Sequence, residues 1–265
     1  MGRIYTLVNQ KGGVGKTTTA INLGAYLAHF GQRVLIVDLD PQANATSCLG
    51  VDKQTIPGSI YDALLKTANP GTLILHNERL KLSLLPSSPA LAGAEVELVE
   101  LPGREQRLKE ALAPLADRYD YILIDCPPSL GLLTVNGLVA ARDGVIIPVQ
   151  CEYLALEGLG QLTQTIQLVK SALFSELKVR GVVLTMFDGR TNLSTDVVNE
   201  VNQYFPELAF KSIVPRSIRL AEAPSYGLPI VQYSPGSTGA QAYEGLAREL
   251  LTGDGVSIPA LRQVA

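Results

Sequence analysis

Short apolar runs alternate with amphipathic stretches along most of the chain. Residues 4–8 (IYTLV), 33–37 (RVLIV), 121–124 (YILI), 145–149 (VIIPV) and 179–185 (VRGVVLT) have the length and β-branched content of strands. A shorter run near 212–214 reads as one more. Between the first two, residues 17–30 place Ala20, Leu23, Gly24, Leu27 and Ala28 at helical spacing, with Gly31 as a stop. Helical patterns return over 104–116, 132–141, 156–173, 195–204 and 239–251. Strands that alternate with helices predict an α/β fold, a mostly parallel twisted sheet flanked by helices on both faces. The near-continuous apolar runs YILI and VIIPV are what strands covered on both sides require. Residues 51–103 are the least regular part and contain Pro57, Pro70, Pro86, Pro89 and Pro102. They read as an insertion packed on the same domain. A single domain is expected over 1–253, with a frayed C-terminal tail over 254–265.

Composition narrows the picture. A chain of 265 residues, 46% of them hydrophobic, can bury a sizeable core. Its formal net charge of −3 supplies no global field for nucleic acid, so any such contact needs a local basic patch or an assembly. Cys48, Cys126 and Cys151 form no CxxC pair and read as free thiols in a reducing cytosol. The opening MGRIYTLVNQ lacks a charged-then-apolar signal layout, and no run of about 18 apolar residues appears, so no membrane span is expected.

The first strand and helix enclose NQKGGVGKTT, residues 9–18, the context a phosphate-binding P-loop requires. Glycines let the chain wrap tightly and aim backbone N–H groups at phosphate oxygens, and the helix adds its positive N-terminal end. The cradle would comprise Lys11, Gly12, Gly13, Val14, Gly15, Lys16, Thr17 and Thr18. Lys16 is expected on the β- and γ-phosphates, the Thr17 hydroxyl on Mg²⁺ and Thr18 near the α-phosphate. Gln10 stands where GxxxxGK[ST] has its first glycine, and Lys11 is an additional lysine. Three carboxylates follow apolar strands: Asp38 and Asp40 in VDLD, and Asp125 after YILI. Any one alone could be a solvated cap at a strand end. Together, beside a P-loop, they favour a cation and a held water.

KGGVGKTT resembles the deviant Walker A box of the ParA/MinD/Soj ATPases. VDLDPQANATSCLG at 37–50, YILIDCPPSLGLLTVNGL at 121–138 and IVPRSIRLAEAPSYG at 213–227 resemble the chromosomal ParA (Soj) proteins. The resemblance runs from Arg3 to about Leu250. It implies a P-loop NTPase fold, ATP and Mg²⁺ as cofactors, and a slow ATPase stimulated by a ParB-like centromere-binding protein. It also implies an ATP-dependent homodimer that binds nonspecific double-stranded DNA, in the cytoplasm on the nucleoid. By the same resemblance Asp40 orients the attacking water, and Asp38 and Asp125 lie near Mg²⁺. Lys11 reaches the ATP of a second subunit. Met186, Pro215 and Ser217 correspond to the adenine contacts, although many relatives carry Asn where Ser217 stands. Arg190 and Arg219 correspond to DNA contacts; by spacing alone either could be a solvated surface charge. Ala43 replaces a glycine usual after Asp40. Three other readings are weaker. A membrane-cycling relative would need a basic amphipathic C-terminus, and GVSIPALRQVA has one basic residue. An ATP-dependent carboxylase or ligase would need its own small-molecule pocket. An iron–sulfur reductase would need a well-placed cysteine pair.

Overall fold

The computed structural model describes residues 2–153 and 155–258. Seven strands are present among the described residues: β1 (Arg3–Leu7), β2 (Val34–Asp38), β3 (Leu75–Asn77), β4 (Leu82–Leu85), β5 (Tyr121–Asp125), β6 (Gly144–Gln150) and β7 (Val179–Thr185). They form one sheet in the order β3-β4-β2-β5-β1-β6-β7. Every pairing is parallel except that of β3 with β4. The helices are α1 (Lys16–His29), α2 (Asn44–Cys48), α3 (Ile60–Leu65), α4 (Leu91–Glu97), α5 (Arg107–Leu112) and α6 (Leu132–Ala140). They continue with α7 (Ala155–Ala172), α8 (Asn192–Tyr204), α9 (Ile218–Glu222), α10 (Ile230–Tyr233) and α11 (Thr238–Gly253). The expected α/β layering is the one observed.

Strand side chains alternate between faces, and that period builds two layers of core. Tyr5, Leu7, Val34, Ile36 and Leu123 pack with α1 and α11 on one side. Leu35, Val37, Ile122 and Ile124 pack with α3, α4, α5 and α6 on the other. Val145, Ile147, Val149, Val182 and Leu184 lie under α6, α7 and α8. Each fully buried Leu, Ile or Val contributes about 1.5–3 kcal/mol of transfer free energy, so both faces must be covered for the sheet to persist.

Strand order places the site. The connection through α1 carries the chain from β1 to β2 on one side, and α6 carries it from β5 across β1 to β6 on the other. β1 is therefore flanked where the order reverses, and the crevice opens at the carboxyl ends of β1 and β5.

Several boundaries differ from the sequence pattern for local reasons. Residues 51–103 supply α3, α4, the edge strand β3 and its neighbour β4, too short for periodicity to reveal. The helix expected over 104–116 is three pieces, with the last turn, Ala113–Leu115, a 3₁₀ turn containing Pro114, which has no N–H to donate. The strand expected near 212–214 is replaced by single bridges, Val182 to Ala209 and Phe187 to Pro215.

Fraying from residue 254 is corrected for 254–258; the rest of the expected tail lies outside the described residues. Asp254 is only 2% exposed at its side chain. Its Oδ1 accepts from Tyr5 Oη at 2.8 Å and from Arg180 Nε and Nη2 at 3.2 and 3.1 Å. Its Oδ2 accepts from Tyr121 Oη at 3.0 Å, with Arg3 Nε at 3.5 Å. Val256 and Ile258 pack against the core beyond it. One carboxylate thus ties the end of α11 to β1, β5 and β7. Asp254→Ala would remove that shared acceptor from two phenols and two guanidinium groups. The expected outcome is a loss of about 3 kcal/mol in unfolding free energy, read by denaturant titration.

Candidate active site

The loop between β1 and α1 is shaped by its glycines. Gly13 (φ 76°) and Gly15 (φ 88°) adopt left-handed backbone that a side chain would strain. Gly15 is the N-cap of α1 and has no side chain to offer, so the first-turn N–H groups of α1 stay available to an anion. The loop is pinned from below: Asn9 Nδ2 donates to Pro148 O at 2.7 Å, and Asn9 Oδ1 accepts from Lys11 N at 3.0 Å. Thr185 Oγ1 donates to Val14 O at 2.8 Å from the end of β7. Lys16 is 7% exposed, and its Nζ donates to the Lys11 carbonyl at 3.1 Å. Burial lowers the pKa of this ammonium, partly opposed by Asp125.

The strand-end carboxylates are brought to the loop but treated differently. Asp38 and Asp125 are register partners on adjacent strands, and both are fully buried. Asp38 is satisfied by protein: Oδ2 accepts from Thr46 N at 2.8 Å and Thr46 Oγ1 at 2.7 Å, and Oδ1 from Asp40 N at 3.2 Å. Among the described residues, Asp125 Oδ2 accepts only from Thr17 Oγ1, at 2.6 Å, and Asp125 Oδ1 is buried without any hydrogen-bond partner. A buried carboxylate oxygen so placed is costly unless something outside the chain completes it. Among the described residues no cluster of three or more His, Cys, Asp or Glu could enclose an ion. A hydroxyl, one carboxylate and a phosphate cradle are the donor set of Mg²⁺, which keeps waters and phosphate oxygens in its shell. The residues therefore fit that ion. Asp40 is 6% exposed; its Oδ1 accepts from Gln42 N at 2.9 Å, and no described residue donates to its Oδ2. Ala43 holds φ 51°, the left-handed conformation that suits the glycine it replaces, at a strain of about 1–2 kcal/mol.

Beside the loop lies a cleft of about 240 Å³. Gly15, Thr18, Met186, Pro215, Arg216 and Ser217 line it, together with Val214, Leu220, Ala221 and Tyr243, which the sequence did not suggest. Tyr243 Oη meets Thr19 Oγ1 at 3.1 Å behind it. Ser217 Oγ caps α9 by accepting from Leu220 N at 3.5 Å. Lys11 is displaced from the phosphate side: its Nζ pairs with Glu152 Oε2 at 3.1 Å. Gln150 Nε2 also donates to Glu152, and Arg216 Nη2 lies 3.9 Å from it. Arg190 lies in the turn before α8 and Arg219 in the first turn of α9, on segments joined by the bridge of Phe187 to Pro215. Arg190 grips Asp188 with Nε at 2.8 Å and Nη2 at 2.6 Å, and Arg219 Nη1 pairs with Glu222 at 2.9 Å. Cys48, Cys126 and Cys151 are free thiols.

Comparison with known proteins follows the same lines. A family model described as AAA domain matches residues 2–179. The chromosome partitioning protein ParA of Myxococcus xanthus is 55% identical over 263 residues, covering 99% of this chain and 92% of the relative. The sporulation initiation inhibitor protein Soj of Bacillus subtilis is 53% identical over 250 residues, covering 94% and 98%. The chain belongs to the ParA/Soj chromosome-partitioning ATPases, within the AAA domain family. A solved structure, cobyrinic acid a,c-diamide synthase of Mycobacterium smegmatis with bound ADP and magnesium, superposes with a TM-score of 0.85. It is 40% identical, covering 98% of this chain and 99% of that one. The chain thus shares its fold with a protein solved with ADP and magnesium bound.

Burial pushes Asp38 up to about 6, and burial with Asp38 alongside pushes Asp125 up to about 8. In the nucleotide-free protein the folded state thus retains protons that the unfolded chain has lost above its ordinary value of 3.8. A raised carboxyl pKa makes folding less favourable as pH rises through that window. Asp125→Asn is expected to be increasingly stabilising relative to wild type as pH climbs towards 8, and level above it. Paired melting curves in the absence of nucleotide and magnesium check this.

Proposed function

We propose that the protein hydrolyses ATP in a dimer that holds DNA for partition, and that the half-satisfied Asp125 carboxylate is the feature that carries the ATPase reading. Thr17 and Asp125 hold Mg²⁺. When bound, the ion offsets charge developing on the phosphate oxygens. The amides of the loop and the first turn of α1 cradle the phosphates. Lys16 exchanges the Lys11 carbonyl for the β- and γ-phosphates, and a buried ammonium gains most from such a partner. Met186, Pro215 and Ser217 border the adenine in the cleft beside the loop. The unengaged Oδ2 of Asp40 is the acceptor that orients the attacking water on the γ-phosphate. Phosphoryl transfer needs alignment and charge neutralisation more than covalent chemistry, and these residues supply both.

Lys11 acts across a subunit boundary. Its ion pair with Glu152 joins side chains 34% and 43% exposed, and pairs of that kind are worth about 0–1 kcal/mol, so release costs little. Partition is favoured among P-loop activities by the near-full-length identity to ParA and Soj. Arg190 and Arg219 contact backbone phosphates without reading bases. Both guanidinium groups are neutralised by their own carboxylates, which explains how a chain of net charge −3 avoids DNA until a dimer presents the patch twice. A ParB-like protein stimulates the turnover, and the protein works in the cytoplasm on the nucleoid. A second reading rests on the name of the 40%-identical structure, a cobyrinic acid a,c-diamide synthase with bound ADP and magnesium: an ATP-dependent ligase acting on a small molecule in place of DNA partition.

The deciding experiment is salt-titrated binding to nonspecific duplex DNA with ATP, with ADP and without nucleotide. Binding is expected only with ATP and is prolonged by Asp40→Ala. Each of Arg190→Ala and Arg219→Ala removes one phosphate contact per subunit and should flatten the log–log salt slope by about 2. DNA-independent turnover with no binding in any state would favour the ligase. Lys11→Ala is expected to abolish both ATP-dependent dimerisation, read by light scattering, and turnover. Retention of both would remove the crossing lysine from the mechanism.

A further inference from the structure

We propose that Asp38, Thr46 and Ser87 are positioning residues, closed into a hydrogen-bonded ring that aims the Asp40 carboxylate at its water. The proposal rests on the reading of Asp40 given above. The ring has four links. Asp40 N donates to Asp38 Oδ1 at 3.2 Å. Thr46 Oγ1 donates to Asp38 Oδ2 at 2.7 Å. Ser87 N donates to Thr46 Oγ1 at 3.0 Å. Ser87 Oγ donates to the Asp40 carbonyl at 2.7 Å, which returns the ring to its start. Asp38, Thr46 and Ser87 are each 0% exposed.

Each hydroxyl has a single proton, and the ring commits both. Thr46 gives its proton to Asp38 and so must accept from Ser87; Ser87 gives its own to Asp40. The peptide groups on either side of the Asp40 side chain are thereby fixed, its N–H by Asp38 and its C=O by Ser87. A third bond, Ala43 N to Asp40 O at 2.8 Å, closes the turn beyond it. Gln42 N then occupies Asp40 Oδ1 at 2.9 Å, which leaves Oδ2 as the acceptor that no described residue engages. In a dry network the bonds polarise one another, and loss of any link leaves buried groups unpaired.

Ser87 comes from the irregular part of the chain. β4 runs parallel to β2 with Leu85 beside Val37, so the residues that follow each strand travel together. The same stretch is tied outward: Pro86 O accepts from Ile60 N at 2.8 Å, and Ser88 Oγ meets Ser59 Oγ, the cap of α3, at 3.2 Å. Asp38, the last residue of β2, thus anchors the loop that carries Asp40.

The test measures single-turnover ATP hydrolysis, affinity for a fluorescent ATP analogue, half-saturation by Mg²⁺ and melting temperature. The variants are Ser87→Ala, Thr46→Val and Thr46→Ser, each alone and with Asp40→Ala. Ser87→Ala and Thr46→Val are expected to slow hydrolysis roughly 10- to 100-fold, with nucleotide affinity and Mg²⁺ half-saturation within about 2-fold of wild type. Thr46→Ser keeps the hydroxyl and should retain most of the rate. Combined with Asp40→Ala, neither Ser87→Ala nor Thr46→Val should slow the reaction further, because the group they aim is already gone. Wild-type turnover by Ser87→Ala overturns the proposal. So does a fall in affinity that matches the fall in rate, or an undiminished loss in the Asp40→Ala background. Should Thr46→Val fail to fold, Ser87→Ala decides alone. Wild-type hydrolysis by Asp40→Ala would instead sink the reading of Asp40 itself.

Discussion

Two buried carboxylates in register at the ends of adjacent strands are the constraint around which the site is built. Asp38 and Asp125 face the same crevice from β2 and β5, and each is wholly withdrawn from solvent. Like charges this close cannot both persist without separate compensation. The chain compensates one from within, through Thr46 and the Asp40 amide, and leaves the other half-satisfied by Thr17. An internally neutralised group becomes scaffold. A group left short of partners becomes a place where an external cation is worth most. That division of labour turns a parallel sheet with a glycine loop into a nucleotide site, and it explains why so few charged groups suffice.

The lysines follow the same logic on the other side of the loop. Lys16 is buried and, with no phosphate to meet, rests on a carbonyl of its own loop. Lys11 is held by a carboxylate at the surface. Both are engaged, but weakly, so a phosphate can take either without breaking packed structure. The arginines near the bridge of Phe187 to Pro215 share this condition, each paired with a neighbour only two or three residues away. Local pairing keeps an acidic chain from offering a permanent basic face, and under the proposed function it would make DNA contact depend on competition and on copy number.

Much of this was legible in the residues themselves. The sheet and its two covered faces followed from the length and content of the apolar runs, because side chains on strands alternate and those on helices repeat every few residues. The loop over 9–18 was legible because glycine, lysine and threonine at that spacing between a strand and a helix have one common use. Lys16, Thr17 and Asp125 were found together where the pattern placed them. Thr46, Ser87, Glu152 and Tyr243 were not legible. Each is an ordinary residue type in an ordinary context, and nothing local marks it.

What the sequence determined alone was the class of fold, the phosphate loop and the set of acids near it, since these depend on short-range pattern and chemistry. The tertiary structure decided how those acids divide their work. β4, four residues long, gains its place by pairing with β2 and β3, and the pairing with β2 brings Ser87 to Asp40 across 47 positions of chain. The end of α11 is likewise held by an aspartate that reaches back to β1 across 249 residues. Such contacts obey no spacing in the chain; they exist because the sheet order puts distant residues side by side, and buried polar atoms must then find partners there.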